Sequence, residues 1–423
     1  MMAPSTYDRT ELQSGVKVLT ERLAEVRSVS LGVWIDTGSR DEAPAEQGLS
    51  HFLEHMLFKG TPSMSALEIA EAFDHLGADI NAATGREHTS IYSRVLEDYL
   101  ERDIDMVMDM ARHSVMKAEE IDSERQVVLE EINMHNDSPD ELVHDHIATV
   151  LWGDHPIGHT VLGTADVIKN VSRDFLLDFY RNRYVASRIV VAAAGAVDHD
   201  RICDMVEKHL SDLPAGEPAD RTGAMSEPVS GKRIARKDTE QAHIVIGGKG
   251  LPRKHPDRFA LSIMDNILGG SMSSRLFQRV REQLGLVYSI YSYNALFIGM
   301  GMVGIYAGCQ PSSAARVISL IEEELSKVRD GGFSPEEMAR AKNHIKGSLY
   351  ISNEDSGNRM NRIAKAELSG GEHLTIDEMV ERVESVSIDD IHRVFAETWD
   401  AVGLSLAVIG PFEPDDLSLS ADR

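Results

Sequence analysis

Hydrophobic alternation and helical spacing divide the chain into two runs of similar order. Residues 8–22 read as a hairpin: Arg9–Gln13, a Ser14-Gly15 turn, then Val16–Leu19. Ser28–Thr37 places Val29, Leu31, Val33 and Ile35 on one side, the alternation of a half-buried strand. Leu49, Phe52, Leu53, Met56 and Leu57 then recur at helical spacing, and Gly60-Thr61-Pro62 ends that helix. Ser65-Ala66-Leu67-Glu68 is a capping box that opens a helix to about Leu76. Asp79–Val95 predicts a long strand or hairpin with Asn81-Ala82-Ala83-Thr84 at its start. Tyr99–His113, Ala118–Asn136 and Ser172–Tyr184 predict helices, and Ile189–Ala194 a strand. The acidic stretch Asp137 to Asp145 reads as exposed surface.

Residues 214–232 concentrate proline and glycine and read as a linker between residues 1–213 and 233–423. After it the pattern restarts. Ala242–Ile246 predicts a strand, Phe259–Leu268 a helix, and Leu286–Tyr293 and Met300–Ala307 two strands. Ala314–Val328 predicts a helix, and Ser334-Pro335-Glu336-Glu337 starts another, with serine at the cap and proline in the first turn. A helix near Asp389–Thr398 and a strand at Leu404–Ile409 close the chain. Leu49-Ser50 matches Leu261-Ser262 at an offset of 212, and Ile91-Tyr92 matches Ile305-Tyr306 at 214. The pattern predicts a domain duplication of two halves that each mix strands and helices, rather than a solenoid.

Composition narrows the partners. The 423 residues carry 43 basic and 69 acidic side chains, a net charge of −26. That excludes nucleic acid as an expected partner, because phosphate binding needs a basic surface. It suits basic or unfolded peptides. Two cysteines, Cys203 and Cys309, match no zinc or redox spacing and suggest a reducing compartment. No run of eighteen apolar residues occurs, and the N-terminus lacks the basic region and apolar core of a secretory signal. A bacterial cytoplasm is the expected location.

His51-Phe52-Leu53-Glu54-His55 adds chemistry to the first helix. Residues four apart share a helix face, so His51 and His55 can hold one ion, with the Glu54 carboxylate beside it. Two imidazoles and a free carboxylate are what metal-assisted peptide hydrolysis needs: the histidines hold zinc and the carboxylate takes a proton from water. A third ligand is expected from Ala118–Asn136. With Glu124 at zero and about 100° per residue, Ile121, Val127, Val128, Glu131 and Ile132 fall on its side, and Glu130 faces solvent. Two carboxylates on an apolar face need a cation, an arginine or backbone caps. In the second run, His51 falls on Ile263, Glu54 on Asn266, His55 on Ile267 and Glu131 on Ile345. If the runs are copies, the metal site exists once.

These residues resemble the pitrilysin/insulinase family of inverzincin zinc peptidases. The likeness is to the bacterial processing-protease-like group and to the beta subunit of the mitochondrial processing peptidase. It rests on His51 to Met56, Phe58-Lys59-Gly60-Thr61, Asn81 to Thr84, Glu87-His88-Thr89, Glu124-Arg125 to Glu131, Arg281-Glu282 and Gly285 to Ser289. The resemblance implies an α+β fold, a clamshell of two homologous α/β-sandwich halves around a central chamber. It implies one zinc per chain on His51, His55 and Glu131, with Glu54 as general base and Glu124 supporting the site. Asn81, Ala82, Ala83 and Thr84 would form an edge strand to which an extended peptide adds. Arg281, with Arg279 close by, and Tyr288 would form an arginine–tyrosine pair, the tyrosine stabilising the oxyanion. A homodimer is implied. Non-catalytic subunits also occur among such relatives, and they would be expected to lack part of these motifs.

Overall fold

Local sequence signals become eleven strands and fourteen α-helices in a computed structural model that describes residues 6–221, 228–400 and 403–420. The chain begins β1 (Thr6–Glu11), β2 (Lys17–Arg22), β3 (Ser28–Ile35), α1 (Leu49–Met56), α2 (Ala66–Leu76), β4 (Asp79–Thr84) and β5 (Thr89–Leu96). It continues through α3 (Leu100–His113), α4 (Ala118–Asp137), α5 (Pro139–Trp152), α6 (Ala165–Asn170), α7 (Arg173–Arg183), β6 (Ile189–Gly195) and α8 (His199–Leu210). The second run holds β7 (Lys232–Arg236), β8 (Ala242–Lys249), α9 (Arg258–Leu268), β9 (Val287–Phe297), β10 (Met300–Cys309) and α10 (Ala314–Gly331). It ends with α11 (Pro335–Ser352), α12 (Ser356–Leu368), α13 (Ile376–Ser385), α14 (Ile388–Phe395) and β11 (Ser405–Gly410). Of the expected linker, residues 222–227 lie outside the described residues.

The first sheet has the order β1-β2-β6-β3-β5-β4 and the second β7-β11-β8-β10-β9. β2 with β6 and β7 with β11 are the parallel pairs, and the other pairs are antiparallel. The second order repeats the first strand for strand, with β7 in the place of β2 and β9 in the place of β4. β1 alone has no counterpart. The α+β duplication expected from the sequence is therefore present in the pairing pattern itself.

Packing exchanges one helical segment between the runs. One compact unit comprises Met1–Asn133, Thr160–Asp220 and Ile351–His373, and the other Met134–His159, Arg221–Tyr350 and Leu374–Arg423. α12 lies on the first sheet, where Met360, Ile363 and Ala364 bury Leu19, Trp34, Val190, Ala192 and Ala194. β3 is consequently buried on both faces, not half-buried as its alternation suggested, because Val29, Leu31, Val33 and Ile35 face a separate core with α1 and α3. Each such fully buried side chain contributes about 1.5–3 kcal/mol. α12 is also held by charge: Glu21, 3% exposed, accepts hydrogen bonds from Arg359 and Arg362.

α5 plays the matching part on the second sheet. Val143, Ile147, Leu151 and Trp152 pack against Val245, Tyr306, Ala407 and Ile409. The acidic stretch 137–145, expected as exposed surface, is thus largely the first two turns of a helix with a buried face. Its carboxylates crowd the helix N-terminus, where the macrodipole favours them, and they mask the apolar spacing that continues beyond Asp145.

Capping chemistry follows the sequence closely. Ser65 and Glu68 make reciprocal backbone hydrogen bonds at the start of α2. Ser334 and Glu337 do the same at α11. Glu337 also receives two hydrogen bonds from Arg275, at 2.6 and 2.8 Å. Burial pushes its carboxyl up, but Arg275 and the Ser334 backbone N–H outweigh burial and hold it at about 2. A depressed carboxyl stabilises the fold above its ordinary value near 4.5 and loses that contribution as pH falls to about 2. The shift sets a ceiling of about 3 kcal/mol, which partial solvent access reduces to about 1–2 kcal/mol. Urea midpoints of Glu337→Gln and the parent protein should therefore differ most above pH 5 and converge toward pH 2. A constant difference across that range would place the effect elsewhere.

Candidate metal centre

α1 is short and tightly anchored. Gly48 precedes it with φ +94°, where a Cβ would meet the Leu162 carbonyl oxygen at 2.6 Å. The buried Glu42 carboxylate accepts from the Gly48 and Ser50 backbone N–H groups at 2.8 and 2.7 Å. It satisfies two of the helix's orphan donors and complements its dipole. Leu49, Phe52, Leu53 and Met56 are all fully buried, so the opposite side of the helix presents His51 and His55, with ring centroids 4.7 Å apart.

α4 supplies the carboxylates. Its buried stripe is Ile121, Glu124, Val128 and Ile132. Val127, expected on that face, is exposed, because the stripe is narrower and turned toward Val128. Glu131 shares the flank of Val127 and keeps its side chain 38% exposed rather than buried. Glu130 faces solvent as expected.

One Glu131 oxygen lies 3.5 Å from His51 Nε2 and 3.4 Å from His55 Nε2. The three side chains offer donor atoms within 4.8 Å of one another, and no other such group of three occurs among the described residues. Zinc bonds of 2.0–2.1 Å at tetrahedral angles separate donor atoms by about 3.3 Å. The two Glu131–imidazole spacings are close to this value, so the residues fit the ion. Burial and the neighbouring His55 lower His51 to about 4, leaving it in the neutral form that ligates. Its Nδ1 is buried without a hydrogen-bond partner.

Glu124 is not beside His51 and Glu131 but behind His55. Its carboxylate accepts from His55 Nδ1 at 3.0 Å and from Lys59 Nζ at 2.5 Å. Burial raises it, but the bonds from Lys59 and His55 outweigh burial and hold it below the ordinary range. An ionised carboxylate can only accept, so it places the proton on Nδ1 and leaves the Nε2 lone pair toward Glu131. The buried charge is thus neutralised by Lys59 and hydrogen-bonded by the neutral His55, rather than by an arginine or backbone caps. Lys59 is the functional neighbour that residue types alone did not single out. Its position four after His55 was the available signal.

Glu54 has one carboxylate oxygen buried without a partner. Burial raises its carboxyl, and hydrogen bonding from Thr84 works against that. Thr84 closes β4, the outer strand of the first sheet, and its Oγ1 also reaches the Ser50 carbonyl at 3.4 Å. Asn81, Ala82, Ala83 and Thr84 therefore lie on a strand with one unpaired edge, and that strand ends at the candidate base.

The second unit shows what the duplicate has become. Ile263 and Ile267 are core residues, Ile345 packs against that core, and the Asn266 side chain meets His344 at 3.0 Å. Three apolar side chains stand where the first unit has candidate ligands. Arg281 sits on a π-helical segment, Phe277–Gln283, over the Phe277 ring, and Arg279 contacts Gln283. Tyr288, at the start of β9, is 78% exposed.

Comparison with known proteins agrees with this division. Residues 17–165 match the model described as "Insulinase (Peptidase family M16)", and residues 170–345 match "Peptidase M16 inactive domain". An uncharacterized zinc protease of Streptomyces coelicolor is 43% identical, covering 98% of this chain and 91% of its own. Another, from Bacillus subtilis, is 39% identical over 95% of this chain and 98% of its own. The crystal structure of a Helicobacter pylori protease shares the fold at TM-score 0.90 and 22% identity, covering 96% of this chain and all of its own. These names and this family support a peptidase with a zinc cofactor and peptide substrates. The chain belongs to the insulinase family of peptidases, family M16.

Proposed function

We propose that the protein is a zinc-dependent endopeptidase that cuts extended, unstructured peptides. The carrying observation is the convergence of His51 Nε2, His55 Nε2 and a Glu131 oxygen at tetrahedral-like spacing, with the Glu54 carboxylate on the same short helix. His51, His55 and Glu131 would hold one zinc per chain, which when bound supplies Lewis-acid polarisation of a water and of the scissile carbonyl. Glu54 takes the water's proton and passes it to the leaving amine. Glu124 and Lys59 keep His55 in the ligating tautomer. An extended peptide pairs with the free edge of Asn81–Thr84 through its main chain, which orders the substrate without demanding a particular side chain. Arg281 and Tyr288 are assigned to the peptide and the developing oxyanion.

The acidic surface, with a net charge of −26, favours basic peptides and not nucleic acid. Among the described residues no helix is long and apolar enough to cross a membrane. A bacterial cytoplasmic location follows the bacterial relatives and the two unbridged cysteines. The homodimer and the clamshell rest on the family resemblance. The direct test is cleavage of an unstructured basic peptide library, with a chelator and with zinc added back. Cutting should stop with the chelator and return with zinc. Chelator-insensitive cutting would remove zinc from the mechanism, bound zinc without cutting would point to a closed clamp or a missing partner subunit, and neither cutting nor bound metal would favour a non-catalytic subunit.

A further inference from the structure

A cavity of about 600 Å³ opens beside the outer strand, between β4, β5 and α12. Its apolar lining includes Phe73, Ile80, Tyr92 and Met360, and its polar lining includes Asn81 and Asn361. Asp74 and Asp79 also line it, both exposed and neither in a salt bridge. The one cation there, Arg94, is already bound to Asp355. The lining is therefore an apolar floor with uncompensated negative charge.

The duplication supplies an internal control. In the first sheet Tyr92 pairs with Asn81, and in the second Tyr306 pairs with Tyr291. Tyr306 is the counterpart of Tyr92, so Tyr291 stands where the first unit has Asn81. His144 lies on α5, the helix that covers the second sheet as α12 covers the first, and its ring stacks on Tyr306. His144 meets the Tyr293 and Tyr291 hydroxyls at 2.9 and 3.2 Å, and Tyr291 stacks on Tyr306. Rings cluster over Tyr306 in the second unit, whereas Asn81 and Asn361 line an open cavity beside Tyr92 in the first. The opening belongs to the unit that carries the candidate metal centre.

We infer that this cavity is a distal subsite for a long cationic side chain, lysine or arginine, of the peptide paired with β4. The inference rests on the edge-strand reading above. Alternation puts Asp79, Asn81 and Ala83 on one face of β4. A strand added alongside would send every second side chain to that face. The aliphatic stem would lie on Tyr92 and Met360, and the charged end would meet Asp74 and Asp79. Thr84 adjoins the candidate base, and Asn81 and Asp79 lie three and five residues back. At about 3.3 Å per residue this is about 10–17 Å from the point of cleavage. Such a site makes selectivity depend on a residue several positions from the cut bond.

The test uses the zinc-loaded full chain and a peptide of one efficiently cut sequence. Each position up to six residues on either side of the cut is replaced in turn by glycine, norleucine, glutamate or lysine. One distal position, on one side, should favour lysine over glycine by about tenfold or more in kcat/KM. Asn361→His, which adds a ring to the cavity lining near Tyr92, should abolish that preference while leaving the glycine peptide's kcat/KM unchanged. Asp74→Asn should remove the advantage of lysine over norleucine and keep that of norleucine over glycine. A flat profile at every distal position, or a lysine preference unchanged in both variants, would overturn the subsite. Absence of cutting for every peptide by zinc-loaded protein would instead overturn the peptidase reading. Anisotropy of labelled lysine and glycine peptides on Glu54→Gln still reads the subsite in that event. Equal affinities would overturn it, and tighter binding of the lysine peptide that Asn361→His removes would uphold it.

Discussion

Glu54→Gln is expected to lower kcat for peptide cleavage by about 10³-fold, while zinc content and peptide affinity stay near those of the parent. The amide matches the carboxylate in size but cannot take a proton from water, and general-base catalysis contributes about 10²–10⁴-fold. Glu54 is not among the three converging donors, so the ion's ligands remain complete. One Glu54 oxygen has no hydrogen-bond partner, so the substitution breaks little on that side. Metal analysis, peptide anisotropy and kcat on the same preparation separate the outcomes. Lost metal would make Glu54 structural. Retained turnover would refute the assigned mechanism. Retained binding with lost turnover would uphold it and exclude a binding module that hydrolyses incidentally, because turnover would then depend on one placed proton acceptor.

Glu21→Leu should be the most damaging of the changes considered for stability, at about 3–5 kcal/mol. Glu21 sits on β2 and is 3% exposed, and it bridges Arg359 and Arg362 of α12, a segment more than 300 residues later. Removing it takes the carboxylate away from the buried Arg359 guanidinium, and from Arg362, beside a core formed by Trp34, Val190 and Met360. Arg359 keeps one hydrogen bond, to the Asn353 carbonyl, which does not offset the charge. Thermal unfolding should fall by several degrees, and limited proteolysis should cut first at the segment that carries α12. The triple change Glu21→Leu, Arg359→Met and Arg362→Leu should recover most of the loss, since an apolar replacement of a buried ion group is often neutral or better. Failure of the triple variant to recover would show that α12 is held mainly by shape.

Much of this protein is written locally. The four-residue spacing of His51 and His55 placed two imidazoles on one helix face, and a helix cannot do otherwise with that spacing. The capping boxes at Ser65 and Ser334 set two helix starts, because each donor and acceptor lies within three residues of its partner. Strand alternation and the repeat of element order foreshadowed two sheets of the same connectivity. Helical phase also separated Glu130 from Glu124 and Glu131 on α4.

Other features were decided only when distant segments met. Nothing near β3 states that α12 covers its second face, and nothing in the acidic start of α5 states that its later turns are core. Val127 is apolar yet exposed, because phase gives a direction and the width of the buried stripe depends on what packs against it. The Glu124–Lys59–His55 link required α1 and α4 to be side by side. The cavity beside β4 is lined by Asn81 and by Asn361, which α12 brings from a distant part of the chain. Periodicity and capping are short-range and survive in the bare sequence. Which surface covers which is a long-range outcome, set by chain segments that share no local signal.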